Sequence, residues 1–265
     1  MPTRALRSAA SGLLAQQINI ETISNNIANV NTTAFKKNKA EFQDLMYQEV
    51  SLNPISSDSI SNKESASQRI QVGNGVQPSS TAKVFKQGGL SATENELDLG
   101  IQGEGFFQVK KPDGSFAYTR DGSFKVNADG EICTSNGYTL EPGLKLDENA
   151  LSVSISKDGT VEVKETNGGS LTLGTIELAR FINPGGLEAL GDNLYGETKA
   201  SGTPILSAPG KDGFGELNQG FLEASNVDIV EEMISMITAQ RAYEINSKTV
   251  KTVEDMLTMA NNLKR

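Results

Sequence analysis

The sequence predicts an α+β protein. Two long terminal helices pair as a coiled-coil-like domain, and between them lies an all-β middle domain, an antiparallel barrel or sandwich, preceded by an extended hairpin-like insert. Three observations predict this fold. The last forty residues contain no Gly or Pro, the first thirty carry an apolar repeat of seven, and residues 88–215 alternate short apolar runs with Asp-Gly or Asn-Gly turns.

The N-terminal segment, residues 1–33, is predicted to form a helix with Thr3 as its N-cap. Its large aliphatic residues recur at sevens, as in a coiled-coil seam: Leu6, Leu13, Ile20 and Ile27. Nothing close in the sequence can cover this seam. We therefore predict that it pairs with the C-terminal helix and then with neighbouring molecules.

The C-terminal segment, residues 216–265, is predicted to form a second helix over 226–265, capped by Ser225 and Asp228. A narrow apolar stripe, with a phase shift near Arg241, follows the helix: Val230, Ile234, Ile237, Ala242, Ile245, Val253, Met256 and Leu263. An ordinary amphipathic helix on its own core is the alternative. The length and the narrow stripe favour an interface with other helices instead.

A cluster of Asn and Thr follows the first helix: Asn25, Asn26, Asn29, Asn31, Thr32 and Thr33, with Phe35 just beyond. Such side chains bond to nearby backbone groups, so the cluster predicts a tight, specific turn. The alternative, a polar linker, would not require the apolar residues after it. Those residues predict a short helix over 40–47.

Residues 34–87 are predicted to connect the first helix to the β-rich domain, with a strand over 82–85. They include a polar insert, residues 49–71, whose large aliphatic residues are Leu52, Ile55, Ile60 and Ile70. So few apolar residues cannot form a core, and the composition predicts a flexible segment or an extended hairpin.

Residues 88–215 are predicted to form short antiparallel strands, because apolar residues alternate in pairs such as Phe107 and Val109, or Val161 and Val163. Hairpin-turn signals separate the strands: Asp113-Gly114, Asp121-Gly122, Asp129-Gly130, Asn136-Gly137 and Asp158-Gly159. The glycine run over 100–105 is interpreted as a turn, since its spacing is wrong for a nucleotide-binding loop.

The composition argues against catalysis. There is no histidine and Cys133 is the only cysteine, which removes the commonest general base and metal ligand and any intrachain disulfide. We predict no enzyme, cofactor, metal or small-molecule substrate. The net charge is −9; residues 1–40 carry five basic and one acidic residue and residues 226–265 five and six, so the middle carries −12, which disfavours nucleic acid. Neither a spanning helix nor a cleaved signal peptide is expected.

Several long motifs resemble those of the axial proteins of the bacterial flagellum, its rod and hook subunits. Residues 24–33 (SNNIANVNTT) and 239–247 (AQRAYEINS) are similar to the terminal signatures of that family. Residues 97–107, 118–124, 181–187 and 191–194 are similar to its β-domain motifs. Ala34 stands where the family usually has Gly, which predicts a slightly different turn.

Within the family, the polar insert and the motifs at 72–76 and 224–233 resemble distal rod subunits, with proximal rod subunits as the alternative. The resemblance implies export through the flagellar type III apparatus without a cleaved signal. It further implies helical self-assembly into a hollow drive shaft in the basal body, stiffened by the insert and in contact with proximal rod, hook and ring proteins. Outside this class, a β-rich binding or adhesive module is the alternative.

Overall fold

The computed structural model describes residues 2–51, 69–146, 150–165 and 169–263. The chain divides into two compact units. The helical unit comprises Met1–Asn25, Lys39–Thr81 and Val230–Arg265, and the β unit comprises Asn26–Asn38 and Ala82–Ile229. Helices and strands together define an α+β fold, as the sequence predicts.

Two long helices mark the ends of the chain. Helix α1 spans Pro2–Ala28 and helix α2 spans Ile229–Asn262. Helix α2 begins three residues later than predicted, because the Asn226 side chain donates to the carbonyls of Val84 and Lys86 at 2.8 and 2.9 Å and accepts from the Lys37 N–H at 2.8 Å. These bonds hold Asn226 outside the helix. No helix in the described part of the chain is long and apolar enough to cross a membrane.

Four strands lie between α1 and the middle of the chain. Strand β1 (Asn38–Asp44) pairs with β4 (Val76–Lys83), and β2 (Gln48–Ser51) pairs with β3 (Arg69–Val72). The predicted helix over 40–47 is therefore wrong. Residues 39–43 alternate polar and apolar side chains, a pattern that favours a strand, and strand β4 supplies the pairing partner more than thirty residues further on.

The β unit contains sixteen described strands. They are β5 (Leu90–Ala92), β6 (Leu99–Gln102), β7 (Phe106–Lys110), β8 (Phe116–Thr119), β9 (Lys125–Val126), β10 (Ile132–Cys133), β11 (Thr139–Leu140), β12 (Ala150–Ile155), β13 (Thr160–Glu165), β14 (Ser170–Thr175), β15 (Leu178–Arg180), β16 (Glu188–Gly191), β17 (Leu194–Gly196), β18 (Ile205–Ser207), β19 (Glu216–Gln219) and β20 (Phe221–Glu223). A short 3₁₀ helix, Pro184–Gly186, precedes β16. The predicted C-terminal segment, residues 216–265, includes residues 216–223. In the structure those residues contain strands β19 and β20 of this unit.

The largest sheet has nine strands. Its order is β16-β17-β8-β7-β11-β10-β9, and β15 pairs with both β7 and β18. Strands β12-β13-β14 form a separate sheet, and β6-β19 and β5-β20 form two-stranded ladders. Among the described strands, the end strands β16 and β9 do not pair with each other, so the predicted barrel is not closed. Strands of two to six residues spread over several small sheets do not supply a continuous ring of pairing.

Strand β7 separates two apolar clusters, because adjacent residues of a strand point to opposite faces. Phe107 belongs to the main core and meets Phe124 edge-to-face at 5.1 Å between ring centroids. Phe106 belongs to a smaller aromatic cluster with Tyr118, Phe181 and Tyr195. Cys133 is buried.

Candidate assembly interface

Helix α2 buries a single line of residues spaced by sevens. Glu232, Ala239 and Val253 are buried, and Asn246, on the same line, meets helix α1 at Gly12. A Cβ added to Gly12 would lie 2.9 Å from Asn246 Nδ2. The Asn246 side chain therefore lies against Gly12. We call this line, formed by residues 232, 239, 246 and 253, the inner line of α2.

The predicted interface residues of α2 lie mostly on the other side of that helix. At about 100° per residue, Val230, Ile234 and Ile237 are roughly half a turn away from the line through Glu232 and Ala239. Six of the predicted residues are 50–88% exposed in the single chain: Val230, Ile234, Ile237, Ile245, Met256 and Leu263. We call these six the outer stripe. Ala242 is half-buried, and Val253 is only 4% exposed because it belongs to the inner line.

On helix α1 the four predicted seam residues, Leu6, Leu13, Ile20 and Ile27, are all half-buried. The fully buried apolar residues of α1 are Ala9, Ala15 and Ile23. The predicted seam residues of α1 are thus less buried than the small residues Ala9 and Ala15. The sequence interpretation also missed the exposed residues Leu14, which follows Leu13 directly, and Met233 and Met259, which lie one helical turn from predicted residues of α2.

The Asn- and Thr-rich turn is held by its own side chains. Asn26 is buried, and its amide donates to the Asn38 carbonyl and accepts from the Asn38 N–H, both at 2.9 Å. Thr32 Oγ1 donates to Asn29 Oδ1 at 3.1 Å. Asn25 and Asn31 are exposed and Thr33 is half-buried. The cluster forms a tight turn, as predicted.

Ala34 adopts the left-handed conformation, with φ of 56°, where an L residue is strained and Gly is not. Its N–H donates to the Glu223 carbonyl at 2.7 Å, and the Asn193 amide donates to the Thr33 carbonyl at 2.9 Å. The backbone therefore keeps a glycine-like conformation at Ala34. The buried methyl group offsets part of the strain, since apolar burial stabilises by about 0.8 kcal/mol per methylene-sized group.

A buried ion triad follows this turn, and no local sequence pattern predicts it. Lys36 Nζ lies 2.6 Å from Glu223 Oε1, and Arg120 Nη1 lies 3.7 Å from Glu223 Oε2. All three side chains are buried. Burial lowers the pKa of Lys36, and the neighbouring Glu223 carboxylate opposes that shift. From the sequence, Lys36 and Arg120 would be expected to be solvated charges, because only the fold brings Glu223 next to them.

The insert is described only at its base. Leu52, Ile55 and Ile60 lie outside the described residues, while Ile70 is exposed on strand β3. Strands β2 and β3 pair antiparallel, with Gln48 opposite Val72. Just after β3 in the chain, the Val76 N–H donates to Ser11 Oγ of helix α1 at 3.2 Å. This bond anchors the base of the insert, which we define as strands β2 and β3 with residues 73–76, on that helix.

The described residues contain no group of three or more Cys, Asp or Glu side chains that could hold a metal ion. A cavity of the β unit, lined by Glu94, Leu97, Val126 and Leu151 among others, brings together carboxylates and aliphatic side chains. The apolar surface of the helices is therefore the strongest candidate site.

Three family profiles match the chain. The basal body rod protein profile matches residues 6–36, the flagellar hook protein FlgE/F/G D1 domain matches 100–163, and the basal body rod FlgEFG C-terminal profile matches 218–263. These matches cover both helices and the core of the β unit. The chain belongs to the axial rod and hook proteins of the flagellum.

Full-length relatives narrow the class. Flagellar basal-body rod protein FlgG of Borreliella burgdorferi is 49% identical, over 99% of both chains, and that of Caulobacter vibrioides is 49% identical over 98% of this chain and 99% of its own. FlgG of Bacillus subtilis is 37% identical over 99% of both chains. The chain is a member of the FlgG family of basal-body rod proteins, structural axial components of the flagellum.

Proposed function

We propose that this chain is the distal rod subunit, which polymerises helically into a rigid, hollow drive shaft that transmits torque to the hook. The observation that carries the proposal is the outer stripe of α2, whose large aliphatic side chains stay exposed while the inner line satisfies the contact within the chain. A face this apolar on a long helix favours contact with helices of neighbouring copies.

The size of the stripe suits repeated contacts. Fully burying one large aliphatic side chain contributes about 1.5–3 kcal/mol, whereas association costs roughly 4–15 kcal/mol. One such residue cannot hold a subunit in place, but the six residues of the outer stripe together with the apolar row of α1 can. Coiled-coil-like packing of α1 and α2 with neighbouring helices would then form the inner tube.

The same proposal covers partners and location. Proximal rod subunits, hook subunits and basal-body ring proteins are the proposed neighbours beyond the copies of this chain, and the type III export apparatus is the proposed route of delivery. The rod would span the periplasm towards the outer membrane. Membership of the FlgG family supports a basal-body rod subunit. The polar insert and the motifs at 72–76 and 224–233 favour the distal rod over the proximal rod.

The assembly proposal is tested by placing charges in the seam. Leu13→Asp combined with Ile237→Asp should abolish polymerisation, because each carboxylate would be desolvated at the interface without a partner. Filament formation by the purified chain is measured by electron microscopy and sedimentation. The near-ultraviolet circular dichroism of Tyr118 and Tyr195, both buried in the β unit, should not change.

A control for charge on α2 is Ser247→Asp. It adds one carboxylate at an exposed position of α2 outside the outer stripe. That variant should polymerise normally. Normal filaments from the double Asp variant would overturn the proposal, and loss of filaments in both variants would show that charge on α2, and not the stripe, decides assembly.

The insert is proposed to stiffen the assembled rod. Replacing residues 52–68 by a Gly-Gly linker keeps strands β2 and β3 but removes the apolar residues Leu52, Ile55 and Ile60. Rods of this variant should bend more, with a shorter persistence length in electron micrographs, while the number of subunits per unit length is unchanged. An unchanged persistence length would make the insert a passive loop.

A further inference from the structure

The buried ion triad of the β unit joins three segments that lie far apart in the sequence. Lys36 follows the signature turn, Arg120 follows strand β8, and Glu223 ends strand β20. Lys36 and Glu223 are 187 residues apart along the chain. The assembly seam does not use any of these side chains, so the triad requires a separate explanation.

Glu223 is the centre of the triad. Its Oε1 accepts from Lys36 Nζ at 2.6 Å and from the Gly88 N–H at 2.8 Å. Lys36 Nζ also donates to the Lys86 carbonyl at 3.0 Å. The main chain of Glu223 takes part as well, since its carbonyl accepts from the Ala34 N–H. One residue thus holds the crossing segment, residues 34–37, by both its side chain and its backbone.

Arg120 cannot take the place of Lys36. Both terminal nitrogens of its guanidinium donate to the Gly103 carbonyl at 2.8 Å, and the group lies over the Phe106 ring at 5.5 Å from the centroid. These contacts keep Arg120 at 3.7 Å from Glu223 Oε2, an oxygen that has no hydrogen-bond partner. When residues 34–37 are not packed beside Glu223, its carboxylate keeps Arg120 at 3.7 Å and loses the closer cation, Lys36.

A buried carboxylate without a close partner is costly, because desolvation is not repaid by contact with an opposite charge. We propose that Lys36, Glu223 and Arg120 form a folding latch. The latch closes only when the crossing segment, residues 34–37, lies beside Glu223 at the end of strand β20. Closure therefore brings together the first segment of the β unit, Asn26–Asn38, and its last strand, β20.

The latch also fixes the register of the crossing segment. Lys36 and Lys37 are adjacent and chemically identical, so charge alone would allow a slip of one residue. The backbone of Lys37 prevents it: its N–H donates to Asn226 Oδ1 at 2.8 Å, and its carbonyl accepts from the Val84 N–H at 2.9 Å. Only Lys36 can then reach Glu223.

The test is amide hydrogen exchange on the purified full-length chain and its Lys36→Met variant. Methionine preserves the apolar stem and removes the charge. Protection at Ala34, Lys37 and Val84, whose amides hold the crossing segment, should fall about 10- to 100-fold, the size expected for loss of one charge-assisted hydrogen bond. Protection in strands β12, β13 and β14 should be unchanged. Lys86→Met, which removes an exposed charge beside the same site, should alter neither region.

Glu223→Gln supplies the second arm, because it leaves two buried cations without a carboxylate. Protection at the same amides should fall further than in Lys36→Met, and the double variant should lose less than the two single losses combined, as expected for one coupled unit. Equal loss across all strands in Lys36→Met would make Lys36 an ordinary core residue. Unchanged protection at Ala34, or additive losses in the double variant, would overturn the latch.

Discussion

Replacing Gly122 with alanine is expected to destabilise the β unit by roughly 3 kcal/mol or more. A Cβ at this position would lie 1.7 Å from the Leu99 carbonyl oxygen and 2.7 Å from its carbon, which are backbone atoms that no rotamer change can move. The Gly122 carbonyl accepts from the Leu99 N–H at 3.0 Å, so the two segments are bonded at the point of collision. Separating them would open strand β6 at the edge of the main core.

Gly114→Ala is the matched control. Gly114 also follows an aspartate in a turn, but its φ is 81° and a Cβ there would meet no atom within 4 Å. The cost should be about 1–2 kcal/mol, from backbone strain alone. Chemical denaturation followed by the near-ultraviolet circular dichroism of the buried tyrosines measures both, since the chain has no tryptophan. Equal losses in the two variants would show that close approach to Leu99 is unimportant.

Turn chemistry predicts where glycine is needed for a positive φ, but not where it is needed because a distant segment packs against it. Asp-Gly and Asn-Gly pairs predicted five turns, and at four of them, Gly114, Gly130, Gly137 and Gly159, φ is 79–83°. The conformational freedom of glycine is a local property, so a dipeptide reveals it. Gly122 is not among the residues with positive φ. Glycine is required there because of a neighbour more than twenty residues away, which the dipeptide does not show.

The two sides of helix α2 differ in the same way. One side follows a local sequence pattern, and the other depends on residues distant in the sequence. Periodicity identified Ile234 and Ile237 as apolar surface, and both are exposed. It did not identify the inner line, because Glu232, Ala239 and Asn246 are acidic, small and polar. Asn246 lies against Gly12 of α1, and that contact depends on a residue more than two hundred positions away. A hydrophobic pattern therefore predicts an assembly surface more readily than a close-packed contact of small residues.

Long-range partners explain the remaining differences. Strand β1 is short, so its polar–apolar alternation alone does not decide between helix and strand, and its partner β4 is distant in sequence. The Lys36–Glu223 pair could not be foreseen because 187 residues separate its members. A lysine in a polar motif is usually solvated, and nothing local distinguishes Lys36 from Lys37. Both residues follow the N-terminal family signature, residues 24–33, and the resemblance does not indicate that one of them is buried.

Gly75→Ala is expected to release the base of the insert from helix α1. Gly75 has φ of 111°, a region that L residues rarely adopt, and a Cβ would lie 2.2 Å from Ser11 Oγ and 3.3 Å from Ser8 Cα. Strain of about 1–3 kcal/mol adds to this collision. The Val76 amide, which donates to Ser11, and the Leu45 amide, which donates to the Gly75 carbonyl at 2.9 Å, should lose protection from hydrogen exchange by at least tenfold.

Gly73→Ala separates this effect from a general cost of substitution in the same turn. Gly73 does not have positive φ, and a Cβ there would make ordinary contact with Tyr47 at 3.6 Å. Protection at Val76 and Leu45 should therefore be unchanged. Because the insert is proposed to stiffen the rod, a loose base should also shorten the persistence length of Gly75→Ala rods and leave that of Gly73→Ala rods unaltered. Loss of amide protection with unaltered stiffness would show that the insert acts without its anchor on Ser11.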